Sequence, residues 1–201
     1  MTAQPWTVIT ESLDLLRAAA AEISDVNRDA PTPCAQWTVS QVLQHAAGDQ
    51  LAWAAALGVG TGPAENPFAP SGRLEGGIDD LIKPALDVAR TAWAGVRSDD
   101  DAVPTPLPQG RLQAGVAAGA CALDAAVHAW DIAVALGCPR FLPCSLAGQL
   151  LPAARAIVEP LRGFAYAAAL PEEPADDATA QLLRYLGRDP GWLPASRESA
   201  G

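Results

Sequence analysis

The chain has 201 residues and a formal net charge of −10, with 13 basic residues, of which only Lys83 is a lysine, against 23 acids. That balance excludes a protein that grips phosphate backbones, which needs clustered Lys and Arg. Hydrophobic residues make up 50%, yet no uninterrupted apolar run reaches the roughly 18 residues of a membrane span, so a soluble protein is expected.

Glu11 and Asp14 interrupt the N-terminal stretch where a signal peptide would be continuously apolar. A cytoplasmic location follows as the expectation, with one domain over residues 1–201 that is large enough to bury its own core. Cys34, Cys121, Cys138 and Cys144 show no CxxC spacing and are read as free thiols. A nucleophilic role for Cys34 or Cys121 is disfavoured, because neither has a Lys or Arg within a helical turn in sequence.

A first helix is predicted from about Thr7 to Val26, where Ile9, Leu13, Leu16 and Ala20 recur at helical spacing. Pro31 and Pro33 break the chain. Thr38, followed three residues later by Gln41, announces a capping box for a second helix that should end at Gly58. His45 and Asp49 fall on the flank of its apolar face, at a boundary between core and cavity.

Residues 60–77 are rich in Gly, Pro and Asn, too long for a simple turn and suited to a loop that covers one end of the domain and lines a substrate entrance. A third helix is expected over about Ile78 to Arg97, starting late or kinked at Pro84. The fourth and longest, from about Arg111 to Leu136, ends at Gly137 and carries Asp124, His128 and Asp131 beside its apolar stripe. Ser145 is the expected cap of a fifth helix reaching about Arg162, bent or shortened by Pro152 and Pro160. Ala178 to Leu186 makes a short sixth, stopped by Gly187. With no convincing strand pair, the fold should be all-α.

The chemistry concentrates in the histidines, of which there are two. Each has a carboxylate four residues away: His45 with Asp49, and Asp124 with His128. Residues at i and i+4 lie one above the other on a helix, so Asp124 and His128 can offer an oxygen and a nitrogen to one cation and His45 can complete the set. Two His and one carboxylate leave coordination positions open for reaction. The competing reading is two ordinary hydrogen-bonded pairs.

Three segments then resemble one family: Cys34-Ala-Gln-Trp37-Thr38-Val39 running into His45; Asp124-Ala-Ala-Val-His128-Ala-Trp130-Asp131 with Leu136-Gly137; and Leu182-Leu183-Arg184-Tyr185-Leu186-Gly187-Arg188-Asp189-Pro190. The chain is similar to the mycothiol-dependent maleylpyruvate isomerase N-terminal domain family of the DinB-like group. The resemblance implies a DinB-like four-helix bundle core with additional short helices. It also implies a divalent metal, usually zinc, on His45, Asp124 and His128. Family members more often carry Glu where this chain has Asp124, whose shorter side chain withdraws the carboxylate.

Around that set, Asp131 is read as a structural group or an orienter of a ligand histidine, and Asp49 as an orienter of His45 or a solvated acid. Trp130 is read first as packing and second as a substrate stacker. Arg184 and Arg188 are read first as surface pairs and second as a grip on an anionic substrate.

The activity implied is an enzyme whose metal presents a thiolate, that of mycothiol as co-substrate, to a small electrophilic molecule, as an S-transferase or isomerase. Characterised maleylpyruvate isomerases of the family have an additional C-terminal domain that contributes to the active site, so another substrate is preferred here. The alternatives are a non-catalytic, metal-stabilised bundle that binds a small molecule, and a repurposed pocket enzyme, a cyclase or hydrolase. A monomer or homodimer is compatible with the acidic, Ala-rich surface.

Overall fold

The computed structural model describes residues 6–138 and 141–194; the ends of the expected 1–201 domain lie outside them. Six α-helices are present among these residues: α1 (Thr7–Ala21), α2 (Val39–Ala56), α3 (Ile78–Ala94), α4 (Ala114–Ala135), α5 (Cys144–Ile157) and α6 (Ala178–Tyr185). Helices α1, α3, α2 and α4 pack in a closed ring, each against the next, which makes an all-α four-helix bundle. Helix α5 covers the outer side of α4, and α6 covers α5.

Helix α4 is the axis of the core. By length and composition it could cross a membrane, but 89% of its most apolar stretch is buried inside the protein. Its alanines let neighbours approach closely, and Gly119 takes this to the limit: a Cβ there would stand 2.5 Å from the Cβ of Ala153 on α5.

Helix ends depart from the sequence reading for local reasons. Helix α1 stops at Ala21, not near Val26, because the Asn27 side chain takes over the backbone: its Oδ1 accepts the Ser24 N–H at 2.7 Å and its amide donates to the Glu22 carbonyl at 3.0 Å. Helix α4 begins three residues later than expected because Arg111 and Leu112 pair antiparallel with Pro104 and Val103, in a two-residue ribbon that periodicity did not show. Pro143, not Ser145, precedes α5, and Pro160 opens a separate 3-10 turn, Glu159–Leu161. Helix α3 starts on time at Ile78 and runs through Pro84, with Asp80 accepting the Gly77 N–H at 2.9 Å.

Two ends matter for the site. The capping box at Thr38 is present as read, with the Gln41 carboxamide oxygen accepting the Thr38 N–H at 2.9 Å. At the end of α6, Gly187 takes φ +80°, its N–H reaches the Arg184 carbonyl, and the Arg188 N–H reaches Leu183. This Schellman turn reverses the chain and sends Arg188 back toward α4.

Candidate metal centre

Helices α2 and α4 are neighbours in the bundle, and their polar flanks meet. His45 Nε2 lies 3.5 Å and His128 Nε2 lies 3.4 Å from the same atom, Asp124 Oδ1. The two imidazoles stand edge to face, 4.7 Å between centroids. Both are buried, 5% and 7% exposed.

The other nitrogen of each ring decides what these contacts are. His45 Nδ1 is 2.9 Å from the Pro67 carbonyl oxygen, which only accepts, so Nδ1 carries the proton. His128 Nδ1 is 2.9 Å from Asp131 Oδ2. Burial opposes ionisation of Asp131, but Arg188 foremost, then His128, outweighs it and holds the carboxyl below the usual range. An ionised Asp131 likewise requires N–H at His128 Nδ1. In the neutral imidazoles both Nε2 atoms therefore point lone pairs at a carboxylate oxygen. Three acceptors then converge, an arrangement that calls for a proton or a metal cation among them.

Two further observations fit a metal. Asp124 Oδ2 is buried and has no hydrogen-bond partner. The three ligand atoms lie within 4.8 Å of one another, and tetrahedral zinc ligands at about 2.0–2.1 Å are roughly 3.3 Å apart, close to the two nitrogen–oxygen separations here. Electrostatics agree. Burial opposes charge on Asp124, yet His128 and His45 hold its carboxyl well below the usual range. Burial likewise opposes a proton on His128, but Asp124 foremost pushes its pKa well above the ordinary value, so a proton and a metal compete for one place.

Cys34, His128 and Asp131 also come within ligating distance of each other, but that group already holds its cation. Arg188 donates to Asp131 Oδ1 from Nε at 2.9 Å and to Oδ2 from a terminal nitrogen at 2.8 Å; the same nitrogen lies 3.3 Å from Cys34 Sγ. Cys34 in turn reaches Asp131 Oδ2 at 3.2 Å. This buried cluster supports the His128 ring from behind and leaves its Nε2 free for the front.

The remaining residues singled out from sequence separate cleanly. Asp49 makes no hydrogen bond to His45, whose partner is Pro67; burial first, then the charge of Asp124, pushes the Asp49 carboxyl up to about 7. Trp130 is 3% exposed and belongs to the core, which gives it no face for a substrate. Arg184 pairs with Glu173 and Asp176. Arg188 is neither a surface pair nor open to a substrate, since Asp131 takes it up.

The loop over residues 60–77 lies on α2 and is stitched there. The Gln41 amide donates to the Pro70 carbonyl at 3.1 Å, and Gln44 bonds Gly72 and Arg73. Gly48 allows the close approach: a Cβ would meet Pro67 Cγ at 3.0 Å. Trp37 and Phe68 flank the His45 ring, with centroids at 4.7 and 5.3 Å. Of these two rings the sequence reading had only Trp37 in view, as part of a motif.

Facing helices that present two histidines and a carboxylate define a class, a helical bundle with a candidate metal centre. The model of the mycothiol maleylpyruvate isomerase N-terminal domain matches residues 9–133, a span that holds all three candidate ligands. The chain belongs to that family, within the DinB-like superfamily. Among curated proteins it is 35% identical over 190 residues to the uncharacterized protein Rv0738 of Mycobacterium tuberculosis H37Rv and to the uncharacterized protein MT0763 of strain CDC 1551, covering 85% of this chain and 92% of theirs. No solved structure matches.

Proposed function

We propose that this chain is a zinc-dependent enzyme that joins a small thiol, mycothiol in cells that make it, to a small electrophilic substrate, as an S-transferase or an isomerase. The observation that carries this is the convergence of His45 Nε2 and His128 Nε2 on one oxygen of the buried Asp124 carboxylate, whose other oxygen has no hydrogen-bond partner. Three protein ligands leave a coordination position open, and a divalent cation there lowers the pKa of a thiol or water that occupies it. The chain's residues supply the rest. Pro67 and Asp131 fix the two rings, Arg188 keeps Asp131 ionised, and Asp49, with its pKa pushed up to about 7, holds a proton it can exchange near neutrality.

The test is metal content by elemental mass spectrometry on the untagged chain beside His45→Ala and His128→Ala, followed by thiol consumption with a conjugated enone. The reading expects about one equivalent of zinc, lost in both variants while helicity persists, and a thiol reaction that follows the metal. Folded wild-type protein that resists zinc loading removes the metal. A loaded protein that never consumes thiol leaves a binding bundle.

A further inference from the structure

Among the described residues, four large hydrophobic side chains are exposed: Val26, Phe68, Phe164 and Leu193. Two of them touch. Phe68, 46% exposed, and Phe164, 72% exposed, have ring centroids 5.1 Å apart although they come from segments nearly a hundred residues apart in sequence. Phe68 also rests on His45 at 5.3 Å, and His45 on Trp37 at 4.7 Å. A continuous run of rings thus leads from the surface to a metal ligand.

Large apolar side chains left in water next to a polar site mark binding. Neither ring is needed by the core: both lie outside its packed cluster. Three arginines from the C-terminal third of the chain narrow the occupant. Arg188 and Arg184 are saturated by Asp131 and by Glu173 with Asp176, and Arg162 is taken by Glu159 and by the carbonyls of Ala167 and Tyr185. Burial and the charge of Asp124 push the Tyr166 phenol up, so it stays neutral. A dicarboxylate finds no partner in these arginines, and the net charge of the chain repels it.

We infer that Phe68 and Phe164 form the lip of the substrate site and select a neutral, planar aromatic or conjugated molecule, stacked between surface and metal centre. The inference rests on the metal-centre reading and names the substrate class for it. Aromatic stacking with its buried area accounts for about a tenfold gain in affinity per ring.

The probe is N-phenyl-1-naphthylamine, an uncharged fluorophore that brightens in apolar surroundings, titrated into the zinc-loaded full chain, with maleate as competitor. One saturable site is expected, weakened about tenfold by Phe68→Ala and by Phe164→Ala, with zinc content and thermal midpoint as in the wild type for Phe164→Ala, at the exposed end of the run, and no displacement by millimolar maleate. Unchanged probe affinity in both variants, displacement by maleate, or no saturable binding to the wild type overturns it. So does a dimer in sedimentation that both substitutions dissociate, because the rings then belong to an interface. Zinc content reports on the metal centre separately, so a chain without zinc whose probe binding still depends on both rings fails the one reading and keeps the other.

Discussion

Arg188 and Asp131 form a two-point ion pair, Nε to Oδ1 at 2.9 Å and a terminal nitrogen to Oδ2 at 2.8 Å, on a carboxylate that is 0% exposed and also holds His128. A residue from the turn after α6 thereby fixes the ring of His128, a candidate ligand on α4. Removing Arg188 leaves a buried charge without a partner, a loss of about 3–5 kcal/mol in comparable cases. Arg188→Ala should lower the denaturation free energy by that order and weaken zinc binding about 10- to 100-fold through His128. Arg188→Lys, with one point of contact in place of the fork, should fall between. Zinc affinity unchanged in a folded Arg188→Ala protein would show that the pair is structural only.

Asp124→Asn keeps size and shape while removing the negative charge that the two imidazoles share. The substitution should abolish stoichiometric zinc with little loss of helicity, measured by competition against a chromophoric chelator. A variant that binds zinc as tightly as the wild type would place the metal elsewhere.

What sequence can show here is set by distance along the chain. Asp124 and His128 share a helix, so their i, i+4 relation and their position beside the apolar stripe are periodic facts. The Thr38 capping box is equally local. That His45 faces them across the bundle was legible through the family resemblance, because periodicity gives a flank but not its neighbour. Arg188 lies 57 residues from Asp131 and 154 from Cys34, far beyond one helical turn. The partner of His45 is a backbone carbonyl, Pro67; a carbonyl is present at every residue and leaves no mark on composition. The ribbon at Val103 and Leu112 pairs two residues per strand, too short for alternation to register.

Zinc binding should release protons. Asp124 raises the proton affinity of His128 well above the ordinary value, so that ring carries a proton at neutral pH in metal-free protein and must lose it to bind. The sign follows: affinity falls as pH falls, and the calorimetric enthalpy of zinc binding at pH 7 varies with the ionisation enthalpy of the buffer, by on the order of one proton per zinc. An enthalpy independent of buffer contradicts it.

The loop over residues 60–77 reaches His45 only because Gly48 leaves room for Pro67, where a Cβ would stand 3.0 Å from Pro67 Cγ. Valine at that position pushes the loop off α2 and takes the Pro67 carbonyl away from His45 Nδ1. Gly48→Val should leave the bundle folded by circular dichroism and reduce zinc affinity, about tenfold for loss of one such supporting hydrogen bond. An affinity equal to that of wild type would mean that the loop moves as a whole and keeps its contact.

Gly119 tests the packing that carries α4. In a helix interior, glycine to alanine gains about 1 kcal/mol from propensity alone, so an open site would be stabilised. Here the new Cβ falls 2.5 Å from the Cβ of Ala153, a short, stiff side chain that cannot swing away, and α4 and α5 must separate. Overpacking of this kind costs typically 1–3 kcal/mol and outweighs the propensity gain. Gly119→Ala should therefore lower the denaturant midpoint, whereas Gly115→Ala, where nothing beyond the adjacent helix backbone lies within 4 Å of the new Cβ, should raise it slightly. Opposite signs in the two variants locate the close contact on the α5 side of α4; a stabilised Gly119→Ala protein would mean that α5 sits farther from α4 than described.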